Sequence, residues 1–475
     1  MAQRRTGTAS LIKLLGHWRQ DLPRMPVYRQ LADGLRLLIL DGRLPLDSRL
    51  PGERELATAL GISRTTVAAA LARLRDEGYL LSRHGSGSVT LLPDGGNASS
   101  PLPGAAPTLD LSIAALTAGP EIHQAYARAL IALPEHLGAT GYDQLGLPEL
   151  RAIIARHYAG RGLPTTADQI MVVNGAVSGF GLILRLLTGP GDRVVIDHPT
   201  YPMALAAING ASCRPVPVSL PENGWDTDGL AATIAQTSPR LAYLLPDFHN
   251  PTGRCMDAGT RAAVAGIAAR TRTTIVVDET MVNLWFDAPP PPPLAAFDKA
   301  DRVITLGSAG KSFWGGLRLG WIRASSRTIA ALMQVRATLD LGSPVLEQLA
   351  AISLFNDADN FLPRRRETLR RQRDISSAAI KQLFPDWRIT EPAGGLSWWI
   401  ELPKPLASVF AASAESIGIR IGAGPRFGIE GAFERYLRLP FTLEPAQMRI
   451  ALERLQPLWE NLAQTRSYGG RGMVV

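Results

Sequence analysis

The chain has 475 residues, 46% hydrophobic and 19% charged, with two cysteines and a formal net charge of +8. That length exceeds a single core and suggests roughly two to four domains, and a balance of this kind belongs to a soluble globular protein. No run of about 18 apolar residues offers a membrane span, the opening Met-Ala-Gln-Arg-Arg-Thr lacks an apolar signal core, and Cys213 and Cys255 stand in unrelated contexts that support neither a disulfide framework nor a zinc site, so a reducing cytoplasm is the expected setting.

The positive charge is concentrated at the start of the chain. Residues 1–92 hold 14 Lys and Arg against 8 Asp and Glu, and the remainder 36 against 34. Thirteen of those first 14 cations are arginine, whose rigid fork suits phosphates and base edges, although charge alone is equally the mark of a basic surface. Pattern adds direction. From Val27 to Leu40 apolar residues recur at three- and four-residue steps, predicting a helix that Gly42 ends. A short second helix is predicted from Glu53 to Leu60, with Gly61 as the tight turn. Ser63 then caps a third helix from Arg64 to about Glu77, closed by Gly78. Ser63, Arg64, Thr65 and Thr66 fall at the N-terminal end of that third helix, the end that meets bases and phosphates when such a helix enters a major groove. Tyr79 to Ser82 and Ser88 to Leu91 read as the strands of a wing tipped by residues 83–87.

Residues 93–109 read as a linker. The run from Pro93 to Thr108 has too few bulky apolar residues to fold and enough proline to stay partly extended. The charge shift at the same place favours a domain boundary over an irregular surface loop.

From 110 to 465 strand-like and helix-like runs alternate, and polar residues recur just beyond the strand ends. Ile170–Val173 leads to Gly175, Ala176 and Val177. The run 193–197 leads to Tyr201, 241–245 to Asn250-Pro251-Thr252-Gly253, and 274–277 to Asp278. In a mostly parallel sheet this is the edge where ligands bind. A strand at 303–306 delivers Lys311, which can form a Schiff base, between Ser308 and Arg318, which can hold a phosphate. This set points to pyridoxal phosphate. Asp278 serves the ring nitrogen, Asn250 the phenolic oxygen and Tyr201 the ring face. The amides at Gly175, Ala176 and Val177 join Ser308 and Arg318 on the phosphate. Tyr436 to Phe441 alternates as a strand and aims Arg438 at a substrate carboxylate. Pro289 to Pro293 reads as a stiff surface loop and 466–475 as a loose tail.

These motifs carry resemblances to known families. Leu-Pro-Gly-Glu-Arg-Glu-Leu-Ala (50–57), Gly-Ile-Ser-Arg-Thr-Thr-Val (61–67) and Leu-Arg-Asp-Glu-Gly-Tyr-Leu (74–80) make residues 24–92 resemble the winged helix-turn-helix of GntR-type bacterial regulators. That resemblance implies that Arg54, Arg64, Thr65 and Thr66 contact DNA, with His84 and Gly85 reaching the minor groove. Ala68 departs from relatives that carry a further arginine there, so no operator sequence is implied. Residues 110–465 resemble a fold-type I aminotransferase, and the whole chain is similar to the MocR subfamily. The expected architecture is therefore an N-terminal winged helix-turn-helix joined by a linker to an α/β fold-type I aminotransferase-like domain that binds pyridoxal phosphate. The resemblance also implies a head-to-tail homodimer, in which Tyr142, within Gly-Tyr-Asp-Gln-Leu-Gly-Leu-Pro-Glu-Leu-Arg (141–151), reaches the neighbouring subunit's phosphate. One departure is Asp278-Glu279-Thr280-Met281, where related enzymes continue to a tyrosine that donates to the phenolic oxygen. Its loss is expected to raise the Schiff-base pKa and weaken transamination while leaving cofactor capture intact.

The function these features imply is a cytoplasmic transcriptional regulator of a double-stranded DNA operator. An amino acid or amine displaces Lys311 from the cofactor by external aldimine formation, and this changes DNA affinity. Two other readings share the same residues: a working aminotransferase with an accessory head, and a sensor of pyridoxal phosphate itself.

Overall fold

The computed structural model describes residues 6–16, 18–19, 26–83, 87–91 and 109–464. His84, Gly85, the linker up to residue 108 and the C-terminal tail lie outside the described residues. Leu109, the last residue of the expected linker, opens a strand.

The N-terminal head holds helices α1 (Thr8–Leu15), α2 (Val27–Leu40), α3 (Glu53–Leu60) and α4 (Arg64–Asp76), then strands β1 (Leu80–Arg83) and β2 (Gly87–Thr90). In α2 the buried Leu31, Leu35, Leu38 and Ile39 form the stripe that helical spacing dictates. Gly61 closes α3 in the left-handed region at φ 62°, where a side chain would be strained. Ser63 begins α4 by accepting the Thr66 amide at 3.1 Å. β1 and β2 pair antiparallel, from Leu80 opposite Thr90 to Arg83 opposite Gly87. The helix α1 was not among the sequence expectations. Its Leu11 and Leu15 are buried in the same core as α2 to α4.

The body begins with β3 (Leu109–Leu111), α5 (Pro120–Ala132) and α6 (Pro148–Gly160). Alternation then follows through β4 (Ile170–Val173), α7 (Ala176–Leu187), β5 (Arg193–His198), α8 (Pro202–Gly210), β6 (Arg214–Ser219), α9 (Thr227–Thr237), β7 (Leu241–Leu244), α10 (Ala258–Thr271), β8 (Thr274–Asp278), β9 (Val303–Ser308), the short α11 (Ala309–Ser312) and β10 (Gly320–Arg323). These strands form a seven-stranded sheet in the order β4-β10-β9-β8-β7-β5-β6. β10 runs antiparallel to both neighbours and the other pairs are parallel. Alternate residues of each strand enter different cores: Ala242, Leu244, Ile275 and Val277 one, Leu241, Tyr243, Val276 and Leu306 the other. Both faces of the sheet are therefore covered, as a parallel sheet requires.

Helices α12 (Ser326–Arg336), α13 (Val345–Asn356) and α14 (Ala358–Leu383) lead to a second unit containing β11 (Arg388–Ile389), β12 (Ser397–Glu401), α15 (Ala407–Ser416), β13 (Ile419–Ala423), β14 (Tyr436–Pro440) and α16 (Pro445–Gln464). Its sheet has the order β11-β12-β14-β13-β3, so the strand that follows the linker pairs, in parallel, with β13.

The head rests on this second unit. Arg36 of α2 donates to the Ala412 carbonyl of α15 at 3.5 Å. Asp41, which ends α2, pairs with Arg426 at 3.2 Å, and Lys13 pairs with Glu430 at 2.6 Å. The segment 424–434, which joins β13 to β14, thus carries most of the body's charged contacts with the head. Burial at this seam raises the carboxyl of Asp41 and pushes that of Glu434 up to about 7. Among the described residues no helix is long and apolar enough to cross a membrane.

Candidate functional site

The expected cofactor residues meet at the carboxyl edge of the seven-stranded sheet. β9 ends at Ser308, which caps α11 by accepting the Gly310 amide at 3.0 Å, and Lys311 lies within that short helix. β8 ends at Asp278, and β7 leads to the buried Asn250. Tyr201 is the N-cap of α8. Gly175 is the N-cap of α7 at φ 96°, with no side chain capping the first turn, which leaves the amides of Ala176 and Val177 available to an anion. A Cβ at Gly175 would lie 3.2 Å from the Arg318 guanidinium, so Arg318 reaches across the start of α7. Among the described residues, no carboxylate lies within ion-pair distance of Arg318 or Arg438. Two unpaired arginines, an open helix start and a serine hydroxyl form a donor set suited to an anionic cofactor and an anionic ligand.

The electrostatics agree with that chemistry. Burial, then the nearby Arg438, pushes the Lys311 amine down to about 8, against the pull of Asp278. Burial, followed by Arg426, lowers Arg438 to about 10, so it stays a cation at neutral pH. Burial also raises Asp278, opposed chiefly by a hydrogen bond from Tyr243. The phenol of Tyr201 is raised by burial and by Asp278, which keeps it neutral beside the carboxylate.

Two contacts concern the segment that leaves the linker. The Lys311 ammonium donates to the Ala114 carbonyl at 2.6 Å, and the Arg438 guanidinium donates to the Ser112 carbonyl. Arg438 also lies over the Phe427 ring, 5.3 Å from its centroid. Asn250 Oδ1 and Arg438 Nε are buried without a partner among the described residues, and such polar groups call for a ligand. The set fits pyridoxal phosphate. Met281 is buried in the core of the second unit, and its thioether has no hydroxyl to donate. Tyr142 is 73% exposed and touches none of these groups within its own chain.

On the head, Arg54 projects from α3, while Ser63, Arg64 and Thr65 are exposed at the start of α4 and Thr66 is half-buried. Arg64 leans toward Glu53 at 3.6 Å. Sequence reasoning did not single out Tyr243, whose phenol donates to Asp278 at 2.5 Å, nor the carbonyls of Ser112 and Ala114. A tyrosine inside an otherwise aliphatic, fully buried strand was the available signal, because a buried hydroxyl needs a partner. A backbone carbonyl leaves no such signal.

Comparison with known proteins identifies the two units. Residues 108–455 match the model of aminotransferase class I and II, and residues 27–89 that of the bacterial regulatory proteins of the gntR family. The chain is 30% identical over 392 residues to the probable rhizopine catabolism regulatory protein MocR of Rhizobium meliloti, covering 76% of this chain and 79% of that one. It is 26% identical over 470 residues to the uncharacterized HTH-type transcriptional regulator YdfD of Bacillus subtilis, covering 91% and 96%. Among solved structures it resembles LysN, the alpha-aminoadipate aminotransferase of Thermus thermophilus, complexed with N-(5'-phosphopyridoxyl)-L-leucine. The TM-score is 0.70 at 25% identity, over 75% of this chain and 93% of that one. An aminotransferase body with pyridoxal phosphate as its cofactor, joined to a gntR-type head that binds DNA, gives the chain a domain of the aminotransferase class I and II family and places it, among gntR-type transcriptional regulators, in the MocR subfamily.

Proposed function

We propose that this regulator holds pyridoxal phosphate at Lys311 and senses an amino acid or amine through it, as a homodimer acting on an operator. When bound, the cofactor supplies an aldehyde that condenses with amines and a ring that draws electrons. Ser308, Arg318 and the first amides of α7 hold its phosphate, Asp278 its ring nitrogen, Asn250 its phenolic oxygen and Tyr201 its face. Arg438 receives the ligand carboxylate. On the head, Arg54, Ser63, Arg64, Thr65 and Thr66 meet DNA.

The observation that carries this reading is the pair of contacts from Lys311 to Ala114 and from Arg438 to Ser112. Both functional cations are held by carbonyls of the segment that continues from the linker. Lys311 must leave Ala114 to engage an aldehyde, and returns when an amine replaces it there. Arg438 must leave Ser112 to receive a carboxylate. Each event alters the anchorage of the segment that follows β3, the strand into which the linker leads, which gives the two states the differential contacts that coupling requires. A second route runs from Arg438 through Phe427 to Arg426 and Asp41 of the head.

The test uses the full-length protein, its Lys311→Ala and Arg438→Ala variants, and a duplex selected by the protein from a random library. Visible absorption reports the cofactor and fluorescence anisotropy reports DNA affinity during titration with a panel of amino acids and amines. The wild type is expected to show a visible band absent from Lys311→Ala, and a DNA affinity that one class of amine changes. Arg438→Ala should lose the response to ligands bearing a carboxylate by about tenfold or more, the worth of a charged hydrogen bond left unmade. DNA affinity indifferent to every ligand would overturn the sensing reading. The complete cofactor set also supports a working aminotransferase, which steady turnover of an amino donor with a keto acid would favour. A change of DNA affinity on adding the cofactor alone would favour a sensor of pyridoxal phosphate itself.

A further inference from the structure

The phenol of Tyr243 has no part in the roles assigned so far, yet it is buried and donates to Asp278 Oδ2 at 2.5 Å. The contact follows from the sheet. Tyr243 on β7 stands opposite Val276 on β8, and Asp278, two residues further along β8, points to the same face because side chains alternate with period two. The other carboxylate oxygen, Oδ1, accepts the Thr280 amide at 3.0 Å. With one donor on each oxygen, the carboxylate cannot rotate freely. The tyrosine is itself held, its ring 4.6 Å from that of Phe180 in α7, the helix whose first turn receives the phosphate. Burial and the neighbouring carboxylate raise the phenol well above its ordinary range, so it remains a donor at any working pH.

We propose that Tyr243 is a positioning residue for the ring nitrogen of pyridoxal phosphate, acting through Asp278. Its hydrogen bond fixes the plane of the carboxylate and favours the anion over the acid that burial would otherwise promote. Through Phe180 and α7 it also ties the ring-nitrogen end of the site to the phosphate end. The plain alternative is a core tyrosine whose hydroxyl happens to be satisfied by Asp278. This inference rests on the cofactor assignment above, and the test separates the two.

Tyr243→Phe keeps the ring against Phe180 and removes only the hydroxyl. Dissociation constants are measured for the full-length apoprotein with pyridoxal phosphate and with its analogue in which carbon replaces the ring nitrogen. Alongside these, the visible band is titrated against pH and the thermal melting of the apoprotein is followed. A positioning role predicts roughly tenfold weaker binding of pyridoxal phosphate, as for loss of one charge-assisted hydrogen bond, with binding of the analogue unchanged. It also predicts an upward shift in the pH titration of the band, because a ring nitrogen that loses its proton draws less charge. In an Asp278→Ala background, Tyr243→Phe should have no further effect on cofactor affinity. Equal weakening toward both compounds would reduce Tyr243 to a structural residue, and an unchanged affinity for pyridoxal phosphate would overturn the proposal alone. Wild-type protein that takes up neither compound would overturn the cofactor site and this inference with it.

Discussion

A lysine amine attacks an aldehyde only as the free base, and the amine of Lys311 is brought down to about 8 by burial first and Arg438 second. A group depressed in this way is protonated below its pKa and reactive above it, so the rate at which the apoprotein takes up pyridoxal phosphate should rise with pH and level off above about 8. Arg438→Ala removes the second cause of the depression. The midpoint of the rate profile, followed by stopped-flow absorbance, should then move upward, toward the ordinary lysine range near 10.5. A midpoint that stays in place would mean that burial alone sets the amine. The clustering of the residues proposed to hold the cofactor was legible in the sequence because Asp278, Asn250 and Ser308 fall at or just beyond strand ends, where the sheet edge gathers them regardless of detail. The acceptors of Lys311 and Arg438 were not legible, since the carbonyls of Ala114 and Ser112 become neighbours only when β3 joins the second sheet.

At the scale of elements, the start of α4 does two jobs that substitution can separate. Ser63 accepts the Thr66 amide and is exposed beside Arg64 and Thr65, so it caps the helix and, in the function proposed above, also meets DNA. Ser63→Ala should destabilise the head by about 1 kcal/mol, the usual cost of a lost N-cap, and weaken DNA binding as well. Ser63→Asp restores a good cap but sets a negative charge against phosphate. It should melt like the wild type yet bind DNA less tightly, and recovery of both properties would place Ser63 away from the DNA. The seam between α2 and the segment 424–434 offers a second separation. Arg426→Ala removes the body's partner of Asp41 and leaves only Arg43 of the head beside it; it is expected to leave cofactor uptake and basal DNA binding nearly intact while shrinking the ligand-induced change in DNA affinity. A ligand response of full size in Arg426→Ala would exclude this seam as a route. The seam itself was not legible, because Arg426 and Asp41 are 385 positions apart and each reads as an ordinary surface charge. The helix α1 was missed for a related reason: eight residues with a glycine at either end are a weak helix alone, and only Leu11 and Leu15 entering the head core fix it.

For the whole molecule, the question is which chain completes which site. Tyr142 is 73% exposed, and the same surface includes Leu341, because Gly342 lies against Asp143. Ile131 at 81% and Leu137 at 69% exposure are further large apolar residues that α5 and its extension leave uncovered. Exposed apolar side chains of this size mark a surface that another chain can cover, and a second copy of this chain is the occupant that the aminotransferase architecture suggests. If Tyr142 serves the partner's phosphate, then Tyr142→Ala should weaken cofactor binding at every site of a homodimer. The loss should be roughly tenfold or more, as for a hydrogen bond to a charged group. Co-expression with Lys311→Ala then gives a decisive arrangement. In the hybrid dimer, the subunit that keeps Lys311 faces a partner that keeps Tyr142, so one complete site per dimer should reappear, while its twin lacks both residues. Purified by differently tagged subunits and titrated with pyridoxal phosphate, the hybrid should bind half an equivalent per chain with wild-type affinity. A hybrid whose only binding is as weak as that of Tyr142→Ala would mean that each chain supplies its own tyrosine, and would remove the argument that a site is incomplete without its neighbour.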